Sequence, residues 1–294
     1  MALSGMTGFG RAEGAQGAWS WAVEARSVNG RNLEIRFKGP PGFDALERGA
    51  REAGQARFQR GQVSLTLQAK RGEAGLGTVS VNIAQLERYL AAVAPYVASG
   101  QATAPSADGL LGLRGVIETT EAEDAEEDRA GLEAAMAASV SLALDSLKTA
   151  RLEEGAALLP ILSGLVDRIE TLTAMSTEQA GEQPAMIRDR FRKRLTELAG
   201  EAAGEERILQ EAAAMAVKAD VREELDRLAG HVAAARLLLT GEGPAGRRLD
   251  FLTQEFMREA NTLCSKSATP ALTATGLELK ATIEQFREQV QNVE

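Results

Sequence analysis

The chain has 294 residues, 44% hydrophobic and 26% charged, with one cysteine, one histidine and a formal net charge of −9. These proportions exclude a collagen-like repeat, a disordered tail and a small disulfide scaffold, and the length suits two domains of about 100–200 residues each. Aromatics are scarce at 4%, so most of the core is expected to be helix packed on helix. The lone Cys264 has no intrachain partner, which fits a reducing compartment. No apolar run approaches the roughly 20 residues of a bilayer span. The opening residues 1–6 lack the basic and then apolar pattern of a secretion signal. The expectation is a cytoplasmic protein with no membrane contact.

The first part reads as strands with one helix. Trp19, Trp21, Val23 and Ala25 alternate with smaller or polar residues, as do Leu33, Ile35 and Phe37. Asn29-Gly30 between the two runs is a tight-turn signal, so residues 18–38 read as a hairpin or a bulged long strand. Residues 43–58 show helical spacing. Val63, Leu65 and Leu67 predict another strand, and Val79, Val81 and Ile83 one more. Residues 84–98 predict a short helix, 99–109 a linker, and 110–128 give no clear signal. Long helical periodicity covers 130–180 with a kink expected at Pro160, since proline lacks the amide hydrogen and clashes with the preceding turn. Pro184 is expected to open a new helix over 185–199, followed by helices at about 204–240, 246–264 and 271–292. The predicted fold class is α+β: a small strand-rich α+β domain (1–98), a linker and acidic segment (99–129), and a long-helix, mainly α domain (130–294).

Charge is uneven. Residues 1–71 hold 11 basic and 6 acidic groups; the remainder holds 22 and 36. Glu118, Glu121, Glu123, Asp124, Glu126, Glu127 and Asp128 form an acidic run that reads as a solvated loop. A polyanion can still bind elsewhere, because local field decides binding more than net charge does.

On a helical wheel for 204–240, Asp220, Glu224, Arg227 and His231 fall on one stripe beside the apolar Val221, Leu225, Leu228 and Val232. Such a strip can ligate a divalent cation and move protons, or it can simply hold i,i+4 ion pairs on an exposed helix. In the segment 246–267, Leu249, Leu252, Phe256, Ala260 and Leu263 form an apolar stripe. Asp250, Gln254, Arg258 and Asn261 lie on one flank, and Glu255, Glu259 and Thr262 on the other. Arginine forks suit phosphates and carboxylates suit the metals that bridge them, while a polar interface between copies is the alternative use.

Several segments carry a resemblance. They are residues 6–11 (MTGFGR), 24–36 (EARSVNGRNLEIR), 60–63 (RGQV), 151–155 (RLEEG), 218–228 (KADVREELDRL) with His231, 246–255 (GRRLDFLTQE), 258–262 (REANT), Ser265-Lys266 and the closing 287–294 (REQVQNVE). In this order and number they resemble the YicC family of bacterial endoribonucleases. The resemblance implies RNA cleavage assisted by a divalent metal, Mg²⁺ or Mn²⁺, inside a channel formed by a homo-oligomer, with a hexamer expected. Met257, where the family often has Asn, and Gly230, where Ser usually precedes the histidine, depart from that pattern.

Within this reading the candidate catalytic groups are His231, Glu224, Glu255 and Glu259. The candidate metal ligands are Asp220, Glu224, Asp250, Glu255 and Glu259, more than one magnesium ion takes from protein. Arg11, Arg26, Arg31, Arg247, Arg248, Arg258 and Lys266 are the candidate RNA contacts. His231 is the sole imidazole for general acid–base work. The competing readings are an RNA-binding oligomer that does not cut and a structural helical assembly protein. There is no G-x-x-x-x-G-K-[ST] loop, no nucleophile elbow and no zinc-ligand spacing, so nucleotide-dependent, acyl-transfer and zinc chemistries are disfavoured.

Overall fold

Alternating burial in the first seventy residues builds one sheet. The computed structural model describes residues 3–72, 78–120, 126–199, 205–241 and 243–294. Strands β1 (Gly8–Gln16), β2 (Trp19–Val28), β3 (Leu33–Lys38) and β4 (Gly61–Arg71) pair in the order β1-β2-β4-β3. The hairpin is β1–β2, closed by Gly17-Ala18 with Gly17 at φ +58°. A glycine there provides the left-handed conformation that suits right-twisted strands. The hairpin expected over 18–38 is therefore not formed. β4 lies between β2 and β3, and β3 runs parallel to β4. A parallel pair needs a crossover, supplied by α1 (Ala45–Gln55). Gly30, expected in the turn, instead packs against the Gly61 backbone.

The inner face of the sheet (Trp21, Val23, Ala25, Ile35, Val63, Leu65) packs on α1 and on the first turns of α4 (Glu126–Ala199). β1 escaped the period-two reading because it is rich in glycine. The reason is close approach: a Cβ on Gly10 would stand 2.1 Å from the Ala143 carbonyl oxygen of α4. A separate two-stranded unit forms from β5 (Thr78–Val81) paired antiparallel with β6 (Ile117–Thr120), with α2 (Ile83–Ala98) and α3 (Ala107–Leu111) between them in the chain. Asn82 caps α2 and donates to Glu118 at 2.7 Å. Of the acidic run, Glu121, Glu123 and Asp124 lie outside the described residues.

α4 is a single helix of 74 residues. Neither Pro160 nor Pro184 ends it, against the expectation of a new helix after Pro184. Both prolines sit on exposed positions, where water can satisfy the carbonyl that loses its partner. One 18-residue window within Asp128–Glu197 reaches a mean hydropathy of 1.2, and 39% of it is buried inside the protein. Beyond residue 157, Leu158, Leu162, Val166, Ile169 and Leu172 of α4 enter a second core, shared with α6 (Arg222–Thr240), α7 (Gly246–Lys266) and α8 (Pro270–Val290). The helix expected over 204–240 is broken into α5 (Glu205–Lys218) and α6. The buried Gln183 of α4 donates to the Ala219 carbonyl at 2.9 Å, and Asp220 accepts the Arg222 N–H at 3.0 Å. The backbone groups freed by the break are thereby satisfied.

Between the two cores α4 carries Arg151, whose side chain is fully buried. Its Nε donates to Gly5 O at 2.8 Å, Nη1 to Ser27 Oγ at 3.3 Å and Nη2 to Arg60 O at 3.2 Å. The guanidinium also pairs with Glu294 at 3.3 Å and lies 4.8 Å from the Phe58 ring centroid. Burial lowers its pKa from the ordinary arginine value, and Glu294 and Glu154 oppose that pull. Glu294 in turn accepts the Gln59 and Arg60 N–H groups, and its main-chain oxygen accepts those of Ala245 and Gly246 at the start of α7.

Two predictions follow from these contacts. Arg151→Met leaves Glu294 and three acceptors without their donor and should cost about 3–5 kcal/mol, read from urea unfolding. Arg57 grips Asp145 of α4 with two hydrogen bonds, 2.7 and 3.2 Å, which hold the Asp145 carboxyl below the usual range. A carboxyl depressed on folding stabilises above its unfolded pKa and loses that contribution as pH falls through the folded one. The stability gap between the native protein and Asp145→Asn should therefore be largest near neutrality and close in acid, as measured by thermal melts across pH.

Candidate metal and phosphate site

The functional residues expected near the end of the chain lie along the seam between α6 and α7. Apolar spacing fixes both helices: Leu225, Leu228 and Val232 on one, Leu249, Leu252, Phe256 and Leu263 on the other, all buried in the second core. The polar side chains beside these stripes are then forced against each other. They form a ladder in which residues early in α6 meet residues late in α7. Glu224 accepts from Lys266 Nζ at 2.8 Å. Arg227 bridges Glu223, one turn back on its own helix, and Glu259 across the seam at 3.3 Å. One turn further on α6, His231 meets Glu255 and Glu259.

One nitrogen of His231 and one oxygen each of Glu255 and Glu259 lie within 4.8 Å of one another. Glu259 is buried, with its side chain 4% exposed, while Glu255 and His231 are half-buried. The His231 ring stacks edge-on against Phe256, centroids 5.6 Å apart, and Phe256 meets Phe286 of α8 in the same manner. The ring is thus held by the core. Its Nε2 is buried and has no hydrogen-bond partner. An imidazole and two carboxylates are a donor set for a divalent cation, and the orphaned nitrogen is a place for a ligand to fill. The nitrogen donor fits a transition ion such as Mn²⁺ better than Mg²⁺, which prefers oxygen.

The other expected metal residues fall outside this group. Asp220 lies before α6 and starts that helix. Glu224 is buried on Lys266 with one carboxylate oxygen unpartnered. Asp250 is on the opposite side of α7 from Glu255 and Glu259 by helical phase. The wheel that grouped Asp220 with His231 assumed one helix where the chain has two.

Among the expected RNA contacts, Arg247 and Arg248 occupy the first turn of α7, exposed and without an ion pair among the described residues. Arg258 is exposed and lies 3.8 Å from Glu255. Lys266 is committed to Glu224. Arg11 and Arg26 lie far along the chain, on the open face of the sheet, paired with Glu13 and Glu24. Arg31 is exposed in the loop between β2 and β3. Arg227 was part of the predicted stripe, but its bond to Glu259 across the helices could not be read from one helix.

A sheet layer joined by one through-going helix to a bundle with a histidine–carboxylate cluster defines the setting of the site. Residues 3–159 match the family "Endoribonuclease YicC-like, N-terminal region", and residues 176–294 match "Endoribonuclease YicC-like, C-terminal". The chain belongs to the YicC-like endoribonuclease family. It is 33% identical over 297 residues to a protein of Haemophilus influenzae named "Probable endoribonuclease YicC", covering 98% of this chain and 99% of that one. A protein of Clostridioides difficile with the same name is 28% identical over 301 residues, covering both chains completely.

The pair formed by the buried Glu224 and the half-buried Lys266 gives a separate test of the seam. Lys266→Met strands a buried carboxylate and should cost about 1–3 kcal/mol or more. The double variant Glu224→Leu/Lys266→Met should recover much of that loss in denaturant unfolding, since it removes the stranded carboxylate as well.

Proposed function

We propose that this protein is an endoribonuclease that cleaves RNA phosphodiester bonds with the help of a divalent cation held by His231, Glu255 and Glu259. The observation that carries the reading is the convergence of these three side chains within 4.8 Å beside a buried imidazole nitrogen that has no partner. Family membership supports RNA as the substrate. A divalent cation held there would neutralise charge developing on phosphate oxygens and activate water for attack.

The rest of the chemistry falls to the chain itself. Arg227 donates to Glu259, fixing the orientation of a carboxylate that would help to hold the cation. Phe256 fixes the plane of the imidazole. Arg258, next to Glu255, offers a planar fork of donors to a phosphate. Arg247 and Arg248 present cations on the same helix, with Arg248 ten residues or about 15 Å before Arg258. By helical phase Arg248 shares the side of α7 that carries Glu255 and Glu259, while Arg247 and Arg258 sit about 80–100° round the helix, on the flank next to it. The backbone of a bound RNA would lie along that strip. The core around Phe256 and Phe286 keeps water from one side of the cluster.

The reading extends to assembly in a reducing cytoplasm. A homo-oligomer, a hexamer by the resemblance, would enclose RNA in a channel. Leu209, Met215 and Val217 of α5 and Phe251 of α7 are large apolar side chains left exposed, as contacts between copies require.

An end-labelled RNA incubated with the purified protein tests the proposal. Cleavage should require Mn²⁺ or Mg²⁺ and stop with EDTA. His231→Gln and Glu259→Gln should each lower turnover at least about tenfold. Mn²⁺ binding, followed by electron paramagnetic resonance without RNA, should weaken in parallel. RNA left intact with every metal, or full turnover in both variants, overturns the reading.

A further inference from the structure

Across most of this surface arginines are neutralised by neighbouring acids: Arg36 by Glu34, Arg48 by Glu52, Arg51 by Glu47, Arg236 by Asp167 and Glu170. One segment of α4 departs from that pattern. Over Arg188-Asp189-Arg190-Phe191-Arg192-Lys193-Arg194 there are five cations and one acid. The one ion pair there among the described residues is the loose Arg188–Asp189 contact at 3.9 Å. All five cationic residues are exposed.

Their spacing makes the departure sharper. Arg188 and Arg192 are four apart, as are Arg190 and Arg194, so like charges face each other on successive turns, an arrangement that destabilises a helix left alone. Ile187, Phe191 and Leu195 form the covered stripe. By helical phase one arginine pair flanks each side of it, with Lys193 behind. The overall acidity of the chain hides this local field.

The segment is also firmly rooted. The buried Gln183, five residues earlier, donates to Ala219 O and accepts from the Ala268 N–H at 2.6 Å. It ties α4 to the start of α6 and to the chain just beyond α7, the end of the seam that holds Glu224 and Lys266. The cations therefore begin about 8 Å along α4 from that tie and extend to about 17 Å. Next to the same end lies a cleft of about 590 Å³ whose cations are Arg222, Arg227 and Lys266 and whose acids are Asp220, Glu223 and Asp226. Arg227 links it to the His231 cluster through Glu259.

We propose that the 188–194 segment of α4 is a binding arm for the RNA phosphate backbone, gripping the strand beyond the cleavage cluster. The choice of polyanion rests on the endoribonuclease reading. An incoming backbone relieves the repulsion between Arg188 and Arg192 and between Arg190 and Arg194, so binding and helix stability reinforce each other. Counterions released from the phosphates add to the affinity.

The test is the binding of a long fluorescein-labelled oligouridylate, followed by anisotropy across a range of salt. EDTA is present so that affinity is read without cleavage. The variant replaces Arg188, Arg190, Arg192, Lys193 and Arg194 by Gln together; circular dichroism checks that helicity is kept, as expected once like charges are removed. If about three of the cations touch phosphates, the slope of log affinity against log salt should fall by about 2, and the dissociation constant at 0.1 M salt should rise about a hundredfold. An unchanged slope and affinity overturn the proposal and leave the nuclease reading intact. A fall in solution mass of the variant without RNA, with RNA affinity kept, also overturns it and makes the arm a contact with the acidic segment of another copy. Weakened binding in a protein that cuts no RNA sustains the arm and defeats the nuclease reading.

Discussion

A single buried guanidinium joins the two halves of this protein. Arg151 sits where the sheet core ends and the bundle core begins, and its donors reach the opening segment, β2 and the entry to β4, while its charge meets Glu294. None of these segments is near another in sequence. A buried guanidinium is costly unless its donors find acceptors, and those of Arg151 are supplied by all of these strands and turns together. Removing it would strand acceptors on several elements at once. The close approaches at Gly5, Gly155 and Gly246, where added side chains would collide with Glu154, Leu3 and Val293, belong to the same junction.

The α6–α7 seam follows a different principle. Its apolar stripes are ordinary core, and the ladder beside them consists of charges that must find partners because the helices cannot separate. Glu224–Lys266 and Arg227–Glu259 are settled pairs. The next rung, His231 with Glu255 and Glu259, brings two acids to one neutral-capable ring and leaves a buried nitrogen with nothing to bond. Glu259 already meets Arg227 and Glu255 a loose Arg258, so what sets this rung apart is the buried, unpartnered His231 nitrogen beside two carboxylates, and that is the reason for reading it as a cation site rather than as one more structural pair.

Much of the architecture was legible in the residues. β2 and β4 show clean alternation, α1, α7 and α8 show the 3.6-residue period, and the α+β class follows from both. Local signals failed where tertiary contacts overrode them. Gly8, Gly10 and Gly14 erased the period of β1, the first two because α4 needs the space and the third because the Trp21 ring does. Asn29-Gly30 has the chemistry of a hairpin turn, but β4 intervenes between the strands it would join. Pro160 and Pro184 are helix breakers by propensity, yet on the exposed side of a packed helix each removes only one bond. The split between α5 and α6 has no proline or glycine to announce it; its partner, Gln183, is remote in sequence. Glu255, Glu259 and His231 were all recognisable as candidates, but a wheel for one helix cannot show which acid faces which ring across a seam. The basic run at 188–194 was plain in the sequence, and averaging charge over the rest of the chain concealed it.

The continuity of α4 has a mechanical consequence. A helix is stiff over this length, and from Arg151 to its far end it spans about 70 Å. The sheet and the bundle share one rod instead of a hinge, so they cannot swivel freely about each other. A tilt of about 5° at Arg151 would carry the distant tip through about 6 Å, roughly one turn of helix. The junction is in effect a fulcrum, and small displacements of the strand layer are magnified at the opposite extremity of the molecule.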